Sequence, residues 1–460
     1  MSTIRFSQSV FSRVHEHLFS RHGEHFAFLL ANWTCSDGEP IFMVRDVILI
    51  PDDEVMVDAS GWNLDIESIV RVINSAIKSG EALIEVHNHG GTFPRFSATD
   101  RYGLREFSAY VLSSLPGRPY GATVWGDKTI YGEYFLPGGR QGVVRSITVT
   151  GSHLQQVVSR DDDERSVSQS FDRQLPWFTE EGQREIGRVR VGVVGNGGTG
   201  SQIIVALTYI GCRDFVLVDD DIAEDHSMNR LVTATPDEVG NAKAILGRQY
   251  IQNHAPEAHT RIIQNKLQTA EALDALKDVD VLFGCVDNDG ARLILNELAL
   301  AFSIPLFDLG VEIEAKEGCV TAACGRLAVV LPDGPCLTCM GQIDVHEASF
   351  FLSTPEEQAF QVRRGYVSGM DIKAPAVAPL NGVVANVAAV EFAIYLSGQR
   401  TTSPFTEYDL LGTSRGNDSQ WLTPRRIKAV SGCIECTMRG KGDSASIVER
   451  YARDEKVEAL

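Results

Sequence analysis

The sequence predicts a two-domain α/β protein, in which a mixed α/β domain precedes a doubly wound domain with a parallel sheet. Its 460 residues exceed what one hydrophobic core usually supports. The first third mixes helical and strand periodicities, whereas the chain from Val189 onward alternates near-continuous apolar strands with helical patterns. Strands that are apolar throughout are typical of a parallel sheet covered by helices on both faces.

A charged, serine-rich segment, SRDDDERSVSQS, separates the two patterns and predicts a solvated linker. We therefore expect a first domain over residues 1–150, a linker over 151–172, a second domain over 173–440 and a polar, frayed tail over 441–460.

The composition indicates a globular chain with no general affinity for polyanions. Apolar residues make up 43% and charged residues 22%, which excludes a largely disordered chain. The net charge of −19 excludes a general electrostatic attraction to nucleic acid or to anionic membranes. The most apolar long stretch, 374–398, is broken by prolines and polar residues, so we expect a buried helix there. The N-terminus lacks a signal-peptide core, so we expect a cytoplasmic protein. In that reducing compartment the nine cysteines are not expected to form disulfides.

The first domain is predicted to be a compact α/β unit with helices and a sheet. One helix presents Val10, Val14 and Leu18, and the strands HFAFLLANW and IFMVRDVILI follow it. A second helix, with Asn63 as its cap, is predicted by aliphatic residues at spacings of three and four: Ile66, Ile69, Val70, Ile73 and Ile77. The strand ALIEVH then ends at a histidine, and GATVWG and KTIYGEYFL complete the sheet.

The segment after ALIEVH carries the residues of a hydrolytic metal site. His87 and His89 lie where a strand runs into a loop, and Asp100 opens the next helical pattern. Two histidines, a carboxylate and a water form an open tetrahedral zinc site. Zinc would acidify that water, a nearby carboxylate would act as its base, and Ser97 could donate a hydrogen bond to an oxyanion.

The full spacing, His-x-His, seven residues, Ser, two residues and Asp, resembles that of the JAMM (JAB/MPN) metalloproteases over Phe6 to Leu136. The resemblance implies a zinc protease that cleaves ubiquitin-like proteins after their C-terminal glycine, with Glu24 at the position of the family's general base. This chain has Gly90-Gly91 where the family usually has proline, which leaves the loop geometry and substrate fit open. A degenerate binding domain is the alternative.

The second domain opens with a glycine-rich loop between a buried strand and a helix, at Gly195, Gly197, Gly198 and Gly200. Glycines there let the backbone approach phosphates, which the helix N-terminus attracts. Asp219 ends the next strand and can bond ribose hydroxyls. These features alone fit a nicotinamide-binding dehydrogenase as well as an ATP-binding enzyme.

Charged residues and one asparagine at the following strand ends favour ATP. They are Asp221, Asn229, Arg230, Lys243 and Asp287. Arginine and lysine can neutralise a triphosphate during in-line transfer, whereas nicotinamide chemistry has little use for them. Asp287 is suited to holding Mg²⁺.

This arrangement resembles the ThiF/MoeB and ubiquitin-activating enzyme superfamily over Phe171 to Gly440, and so implies a Rossmann-like ATP-binding domain. The family's nucleotide and magnesium positions correspond to Asp219, Asn229, Arg230, Lys243 and Asp287. The resemblance implies that the domain activates a C-terminal glycine as an acyl-adenylate and releases pyrophosphate. Arg173 corresponds to the family's arginine finger, which reaches the ATP of the partner subunit, so a homodimer is implied.

Two Cys-x-x-Cys pairs, Cys336–Cys339 and Cys433–Cys436, predict a closed structural zinc site of four thiolates. In the ubiquitin-activating enzymes that this domain resembles, those that form a thioester keep a cysteine in a segment that crosses over the active site. The corresponding segment here, roughly Gly341 to Pro379, contains none. We therefore expect direct transfer of the adenylate to a sulfur donor or to a partner's cysteine, without a thioester on this chain. The five other cysteines are expected to be buried structural thiols: Cys35, Cys212, Cys285, Cys319 and Cys324.

Together, the two domains suggest a bacterial-type fused enzyme that processes and activates a ubiquitin-like or sulfur-carrier protein. The zinc domain would trim a precursor or cleave conjugates. Protein conjugation, including an antiphage pathway with a conjugating-enzyme-like partner, and sulfur transfer for biosynthesis remain alternative uses. A non-catalytic module that binds ubiquitin-like tails and a nicotinamide oxidoreductase are the other hypotheses.

Overall fold

The computed structural model describes residues 2–58, 61–158, 167–363, 375–409, 411 and 422–453. These residues form two compact units. The first unit contains the described residues up to Val158, together with Ala301–Ser303 and Arg439–Ala445. The second unit contains the other described residues from Val167 onward.

The first unit is built on a mixed nine-stranded sheet, in the order β11-β10-β1-β3-β2-β6-β7-β8-β9. β4 and β5 form a separate hairpin. The strands are β1 (Thr3–Ser7), β2 (Phe26–Ser36), β3 (Glu39–Leu49), β4 (Val55–Asp58), β5 (Gly61–Leu64), β6 (Ala82–Asn88), β7 (Tyr120–Trp125), β8 (Ile130–Phe135), β9 (Gln141–Val143), β10 (Ser146–Thr150) and β11 (Leu154–Gln156). The predicted mixed α/β architecture is therefore correct.

Three helices cover this sheet: α1 (Gln8–Phe19), α2 (Ile66–Ser79) and α3 (Ala98–Ser114). The apolar face predicted for α1 is confirmed, since Val10, Val14 and Leu18 lie in one of the two core clusters of the unit. α2 and α3 contribute residues to the other cluster. The sheet therefore separates two apolar cores.

α2 differs from its prediction in both cap and face. Its N-cap is Asp65, whose side chain accepts a 2.6 Å hydrogen bond from Ser68 N, whereas Asn63 lies in β5. Val72, Ile73 and Ala76 are the apolar residues that it buries, while Ile66, Val70 and Ile77 are exposed. Aliphatic residues occupy both sides of this helix, so spacing alone did not identify the buried side.

The first unit extends past the predicted boundary at residue 150. β11 pairs with β10, and Val158 forms a bridge with Ile130. Leu154 is buried, and Val157 and Val158 belong to the core, so these apolar residues are part of the unit rather than of a linker. The charged portion of the predicted linker, 159–166, lies outside the described residues.

The second unit is built on an eight-stranded sheet, in the order β14-β13-β12-β15-β16-β17-β18-β19. Its strands are β12 (Arg190–Val194), β13 (Asp214–Val218), β14 (His259–Ile263), β15 (Val281–Gly284), β16 (Leu306–Lys316), β17 (Cys319–Val330), β18 (Phe405–Asp409) and β19 (Leu422–Arg425). The five strands from β12 to β16 are parallel, as predicted. The other three, β17 to β19, are antiparallel and were not predicted.

The helices of the second unit are α4 (Leu175–Arg188), α5 (Gly198–Ile210), α6 (Lys243–His254), α7 (Ala270–Leu276), α8 (Asp289–Ala301), α9 (Val345–Phe351), α10 (Pro355–Arg363), α11 (Ala378–Ser397) and α12 (Ile447–Tyr451). α11 is long and apolar enough to span a membrane, but most of it is buried. It packs against α5 and against β16 and β17, which agrees with the predicted buried helix.

The described part of the predicted polar tail is structured. Arg439–Ala445 belongs to the first unit, where Asn32 Nδ2 donates a 2.8 Å hydrogen bond to Gly440 O. Ile447 then begins α12 in the second unit and is buried. The expectation of a frayed tail from residue 441 is therefore corrected as far as Arg453. Residues 454–460 lie outside the described residues.

Candidate functional site

The loop between β12 and α5 brings the backbone close to a cavity in the second unit. Gly195 has a positive φ of +84°, and a Cβ there would lie 2.6 Å from the Cys285 carbonyl oxygen. A Cβ on Gly198 would lie 2.2 Å from Asn381 Nδ2. Any side chain at these positions would therefore displace a neighbour or enter the cavity.

Gly200 has a different role from the one predicted. It does not line the cavity, and a Cβ there would lie only 1.8 Å from the Gly195 carbonyl oxygen. Its small size lets α5 pack against the loop that precedes it. Gly200 therefore shapes the site through the backbone rather than by contact with a ligand.

The cavity has a volume of about 770 Å³ and lies at the carboxyl ends of the parallel strands. It brings together residues predicted from four separate segments: Gly195, Gly197, Gly198, Asp219, Asp221, Asn229, Arg230, Lys243 and Asp287. Ligands of open α/β sheets bind at this edge, and the helix N-terminus there attracts phosphate.

Asp219 follows β13 and is almost completely buried. Its carboxylate accepts hydrogen bonds from Asn196 N at 2.5 Å and from Asp221 N at 2.9 Å. Burial raises the pKa of Asp219 to about 6, although these backbone bonds and Lys243 oppose the shift. At neutral pH the side chain is a fixed carboxylate, suited to accept hydrogen bonds from ribose hydroxyls.

The cationic side chains of the cavity are held by local contacts. Lys243 Nζ lies 2.6 Å from Asp221 Oδ2, and the Lys243 side chain is only 13% exposed. Arg230 donates a 2.7 Å hydrogen bond to the His226 carbonyl oxygen. Asp287 lines the same cavity as both of these cations. The arrangement can therefore bind a polyphosphate and a divalent cation together.

Arg292 and Asn381 also line the cavity and were not predicted. Arg292 forms a 2.5 Å ion pair with Asp289 and donates a 3.2 Å hydrogen bond to the Val286 carbonyl oxygen, next to Asp287. Its position one helical turn after the DND segment is the sequence feature from which Arg292 could have been predicted. Asn381 lies on α11, far along the chain, and only the tertiary fold brings it to Gly198.

Arg173 lies apart from this cavity within the chain. It is exposed and lines a different groove, of about 490 Å³, with Trp177, Tyr209 and Val390. Arg173 does not line the cavity beside the glycine loop of its own chain.

The four predicted knuckle cysteines converge, with sulfur atoms within 4.8 Å of one another. Cys336 Sγ lies 3.6 Å from Cys433 Sγ, and Cys339 Sγ lies 3.7 Å from Cys436 Sγ. Four thiolates about 2.3 Å from a zinc ion would be about 3.8 Å apart, so the donor set fits that metal. Val430 N donates a hydrogen bond to Cys339 Sγ at 3.2 Å, which supports a thiolate there.

The five other cysteines are not all buried, which corrects the prediction. Cys212 is buried and Cys285 and Cys324 are partly buried, whereas Cys35 and Cys319 are exposed. Both exposed thiols lie at the hairpin ends of long strands, β2 and β17. None of the nine cysteines, all of which lie within the described residues, forms a disulfide.

In the first unit, His87, His89 and Asp100 converge as predicted. Asp100 Oδ2 lies 3.7 Å from His87 Nε2 and 3.4 Å from His89 Nε2. Glu24 Oε1 lies 3.7 Å from His89 Nε2, so the predicted base stands beside the ligand set. β6 positions the two histidines and α3 positions the carboxylate.

The hydrogen bonds around the histidines suit a metal. Among the described residues, His87 has a hydrogen-bond partner at neither ring nitrogen, although it is buried. Burial opposes its protonation, but Asp100 and Glu85 outweigh burial and raise the pKa of His87 to about 9. A divalent cation would occupy the place of that proton. The contact between His89 Nδ1 and Arg95 O, at 3.2 Å, leaves Nε2 to bind the metal.

Ser97 is the N-cap of α3. Its hydroxyl accepts a 3.1 Å hydrogen bond from Asp100 N, and Asp100 Oδ2 accepts a 2.6 Å bond from Ser97 N. This reciprocal pair is a capping box, so Ser97 and Asp100 fix each other beside the histidines. A hydroxyl that accepts one hydrogen bond can still donate another, which is the chemistry expected of Ser97.

The second unit is similar to proteins of a known family. Residues 171–430 match the ThiF family. The SAMP-activating enzyme E1 of Haloferax volcanii is 29% identical over 160 residues, which cover 35% of this chain and 56% of that protein. The sulfur carrier protein adenylyltransferase of Thermus thermophilus is 30% identical over 132 residues, which cover 29% and 49%.

The structure of Escherichia coli MccB with ATP aligns with a TM-score of 0.45 and 16% identity, over 59% of this chain and 75% of that one. The chain spans about half of the length of the two sequence relatives. Apart from Ala301–Ser303, the described residues of the ThiF match lie in the second unit.

Proposed function

Because this chain belongs to the ThiF family, we propose that it uses ATP to adenylate the C-terminal glycine of a ubiquitin-like or sulfur-carrier protein. The observation that carries the proposal is the meeting of Arg230, Lys243 and Asp287 in one cavity beside the glycine loop. Both sequence relatives are named for activating or adenylating such carrier proteins, which supports this substrate class.

The proposed reaction joins a carboxylate oxygen of the substrate to the α-phosphorus of ATP. The bond from that phosphorus to the bridging oxygen breaks, and pyrophosphate leaves. The glycine loop and the α5 N-terminus would hold phosphates, while Asp219 would hold the ribose. Arg230 and Lys243 would neutralise the charge that develops on the phosphates, and Asp287 would hold Mg²⁺. Two cations beside the loop favour this reaction over nicotinamide chemistry.

We propose that the adenylate leaves without forming a thioester on this chain. Cys285 lines the cavity, but burial and the nearby Asp308 carboxylate raise its thiol pKa far above neutrality. A thiol that stays protonated is a poor nucleophile. The acceptor would then be a sulfur donor or the cysteine of a conjugating-enzyme-like partner.

A homodimer would complete the proposed site. Arg173 stands away from its own cavity, in a groove lined by Trp177, Tyr209 and Val390, whose exposed fractions are 44%, 61% and 50%. Large apolar groups exposed together are typical of an interface. We propose that a second copy of the chain covers this groove and receives Arg173 in its nucleotide cavity.

The first unit supports a second proposed activity, zinc-dependent peptide hydrolysis. The supporting observation is the convergence of His87, His89 and Asp100 with Glu24 beside them. The two histidines and the aspartate would hold Zn²⁺, which supplies Lewis acidity and an acidified water. Glu24 would take the proton of that water, and Ser97 would donate a hydrogen bond to the developing oxyanion.

Together, the proposed activities fit a cytoplasmic enzyme that exposes a terminal glycine and then activates it, or that later cleaves the conjugates. Antiphage conjugation and biosynthetic sulfur transfer are the two proposed settings. A non-catalytic module that grips ubiquitin-like tails remains the competing function. A Glu24→Ala, Asp287→Ala double variant that still supported the biological role would favour that module.

The test is ATP–pyrophosphate exchange with candidate carrier proteins, supplied with bare Gly-Gly ends and with extended ends. Wild type is compared with Arg230→Ala and His89→Ala. We expect exchange with bare ends in wild type and His89→Ala but not in Arg230→Ala. Exchange with extended ends only when His89 is intact would support trimming before activation. Equal exchange in Arg230→Ala and wild type would overturn the adenylation site.

A further inference from the structure

We propose that Asn88, the residue between the two histidines, is a positioning residue for Glu24. The inference rests on the proposed zinc peptidase function and deepens it. One side-chain amide contacts the backbone on both sides of Glu24, at Gly23 and at His25. It would therefore hold the proposed base at a fixed place beside the metal ligands.

The sheet register explains why a side chain is needed here. β2 and β6 pair antiparallel, and the ladder ends at the pair Phe26–His87. Continued pairing would place His25 opposite Asn88 and Glu24 opposite His89, but the ladder ends two pairs before Glu24. The Asn88 amide takes over: its Oδ1 accepts from His25 N at 2.7 Å, and its Nδ2 donates to Gly23 O at 3.0 Å.

Because the Asn88 amide is buried, losing either hydrogen bond would cost free energy. Asn88 is only 6% exposed, so its polar atoms would cost free energy if either partner moved away. Gly23 has a φ of +118°, a conformation that other residues rarely adopt. His25 Nδ1 also lies 2.9 Å from Asp52 Oδ1. The segment is thus held on both sides of Glu24.

The Glu24 side chain itself has less support. It is 33% exposed, and its Oε1 lies 3.7 Å from His89 Nε2. A base must stay within hydrogen-bond reach of the water that it deprotonates, and a displacement of about 1 Å can cost on the order of 100-fold in rate. The two backbone contacts of Asn88 would limit that displacement without touching the metal.

The experiment uses the full zinc-loaded chain, four single variants and the Asn88→Ala, Glu24→Gln double variant. Asn88→Ala removes both hydrogen bonds, whereas Asn88→Asp keeps the acceptor for His25 N. Asn32→Ala is the matched control, because Asn32 also donates to a backbone carbonyl in this unit, at Gly440. Glu24→Gln removes the base. Zinc content, amide hydrogen exchange at His25, and kcat and KM for an extended Gly-Gly substrate are measured for each.

We expect Asn88→Ala to keep its zinc, to exchange the His25 amide at least about tenfold faster and to lose about 10- to 100-fold in kcat with little change in KM. Asn88→Asp should restore protection at His25, which separates the lost bond from general loosening. Adding Asn88→Ala to Glu24→Gln should lower kcat no further, because both act through one group. Asn32→Ala should match wild type at His25 and in kcat.

Wild-type exchange at His25 in Asn88→Ala, or unchanged kcat in that variant, would overturn the proposal. Full activity in Glu24→Gln would instead refute Glu24 as the base. If wild type cleaves no substrate, the peptidase function fails. Hydrogen exchange at His25 in Asn88→Ala would then decide whether Asn88 holds the backbone on both sides of Glu24.

Discussion

The hydroxyl of Thr34, in β2, donates a 2.6 Å hydrogen bond to the carboxylate of Asp443, which lies 409 residues later in the chain. Thr34 is 1% exposed, so a buried polar group of the first unit takes its partner from the segment Arg439–Ala445. Gly442 packs beside this bond, where a Cβ would lie 2.4 Å from Met43 Cε. The first unit is therefore completed by residues near the C-terminus.

Replacing Asp443 should destabilise the first unit. Asp443→Ala leaves the buried Thr34 hydroxyl without this bond, at a cost of about 1–3 kcal/mol in the free energy of unfolding. Urea denaturation monitored by hydrogen exchange in β2 and β3 would measure it. Asp53→Ala, at an exposed position of the same unit, should change the stability by no more than about 0.5 kcal/mol. Equal stability of the two variants would contradict a structural role for the segment.

The sequence could predict that residues from several segments meet beside the glycine loop because parallel strands end at a common edge. Asp219 and Asp287 come directly after or near such strand ends, so their convergence follows from the fold class. Asn381 reaches the same cavity from α11, and no local pattern encodes that approach. The contact depends on how α11 packs against α5, which is a property of the tertiary fold.

In the first unit, local spacing predicted that His87, His89 and Asp100 lie close together, but it failed for the surface of α2. A metal site needs a few donors at fixed spacing, whereas the buried side of a helix depends on what packs against it. Ile66 and Val70 are as apolar as Val72 and Ile73, yet only the second pair is buried. The contacts of Asn88 were likewise not predictable from the sequence, because they depend on the register of β2 against β6.

ATP affinity should depend on pH through Asp219, whose pKa burial raises to about 6. The ionised carboxylate is the better acceptor for ribose hydroxyls, so affinity should fall about tenfold between pH 7 and pH 5. Isothermal titration with ATP would measure this fall. Asp219→Asn should bind ATP more weakly and with a flatter pH profile. If ATP affinity fell as steeply between pH 7 and pH 5 in Asp219→Asn as in wild type, another group would be responsible for the pH dependence.

The raised pKa of Asp219 also affects the stability of the ligand-free protein, with a pH dependence opposite to that of ATP affinity. The folded state binds the Asp219 proton more tightly than the unfolded state, whose pKa is near the ordinary value of 3.8. The contribution of Asp219 to stability should therefore be present at low pH and be lost as the pH rises from about 4 through about 6. Thermal melts of wild type and Asp219→Asn across this range would isolate the difference, which should carry that sign.

Zinc analysis should distinguish the two donor sets. We expect two zinc ions per chain, one lost in Cys433→Ser and the other in His89→Ala. Cys433→Ser should also lower the Tm of the second unit by about 10 °C, because the binding free energy of a structural zinc contributes several kcal/mol to folding. His89→Ala should leave that transition nearly unchanged. One zinc ion in wild type, lost in only one of these variants, would leave the other donor set without a metal.

Complementation between inactive chains should test whether Arg173 acts on a partner's site. Arg173→Ala and Asp287→Ala should each lower ATP–pyrophosphate exchange by about 100-fold or more. When they are co-expressed, a mixed dimer would contain one cavity with Asp287 intact and Arg173 supplied by the other chain, so exchange should recover. Arg230→Ala with Asp287→Ala is the control, because both residues line the cavity of one chain and no mixed dimer restores it. Recovery in the control as well, or none in the test pair, would contradict action in trans.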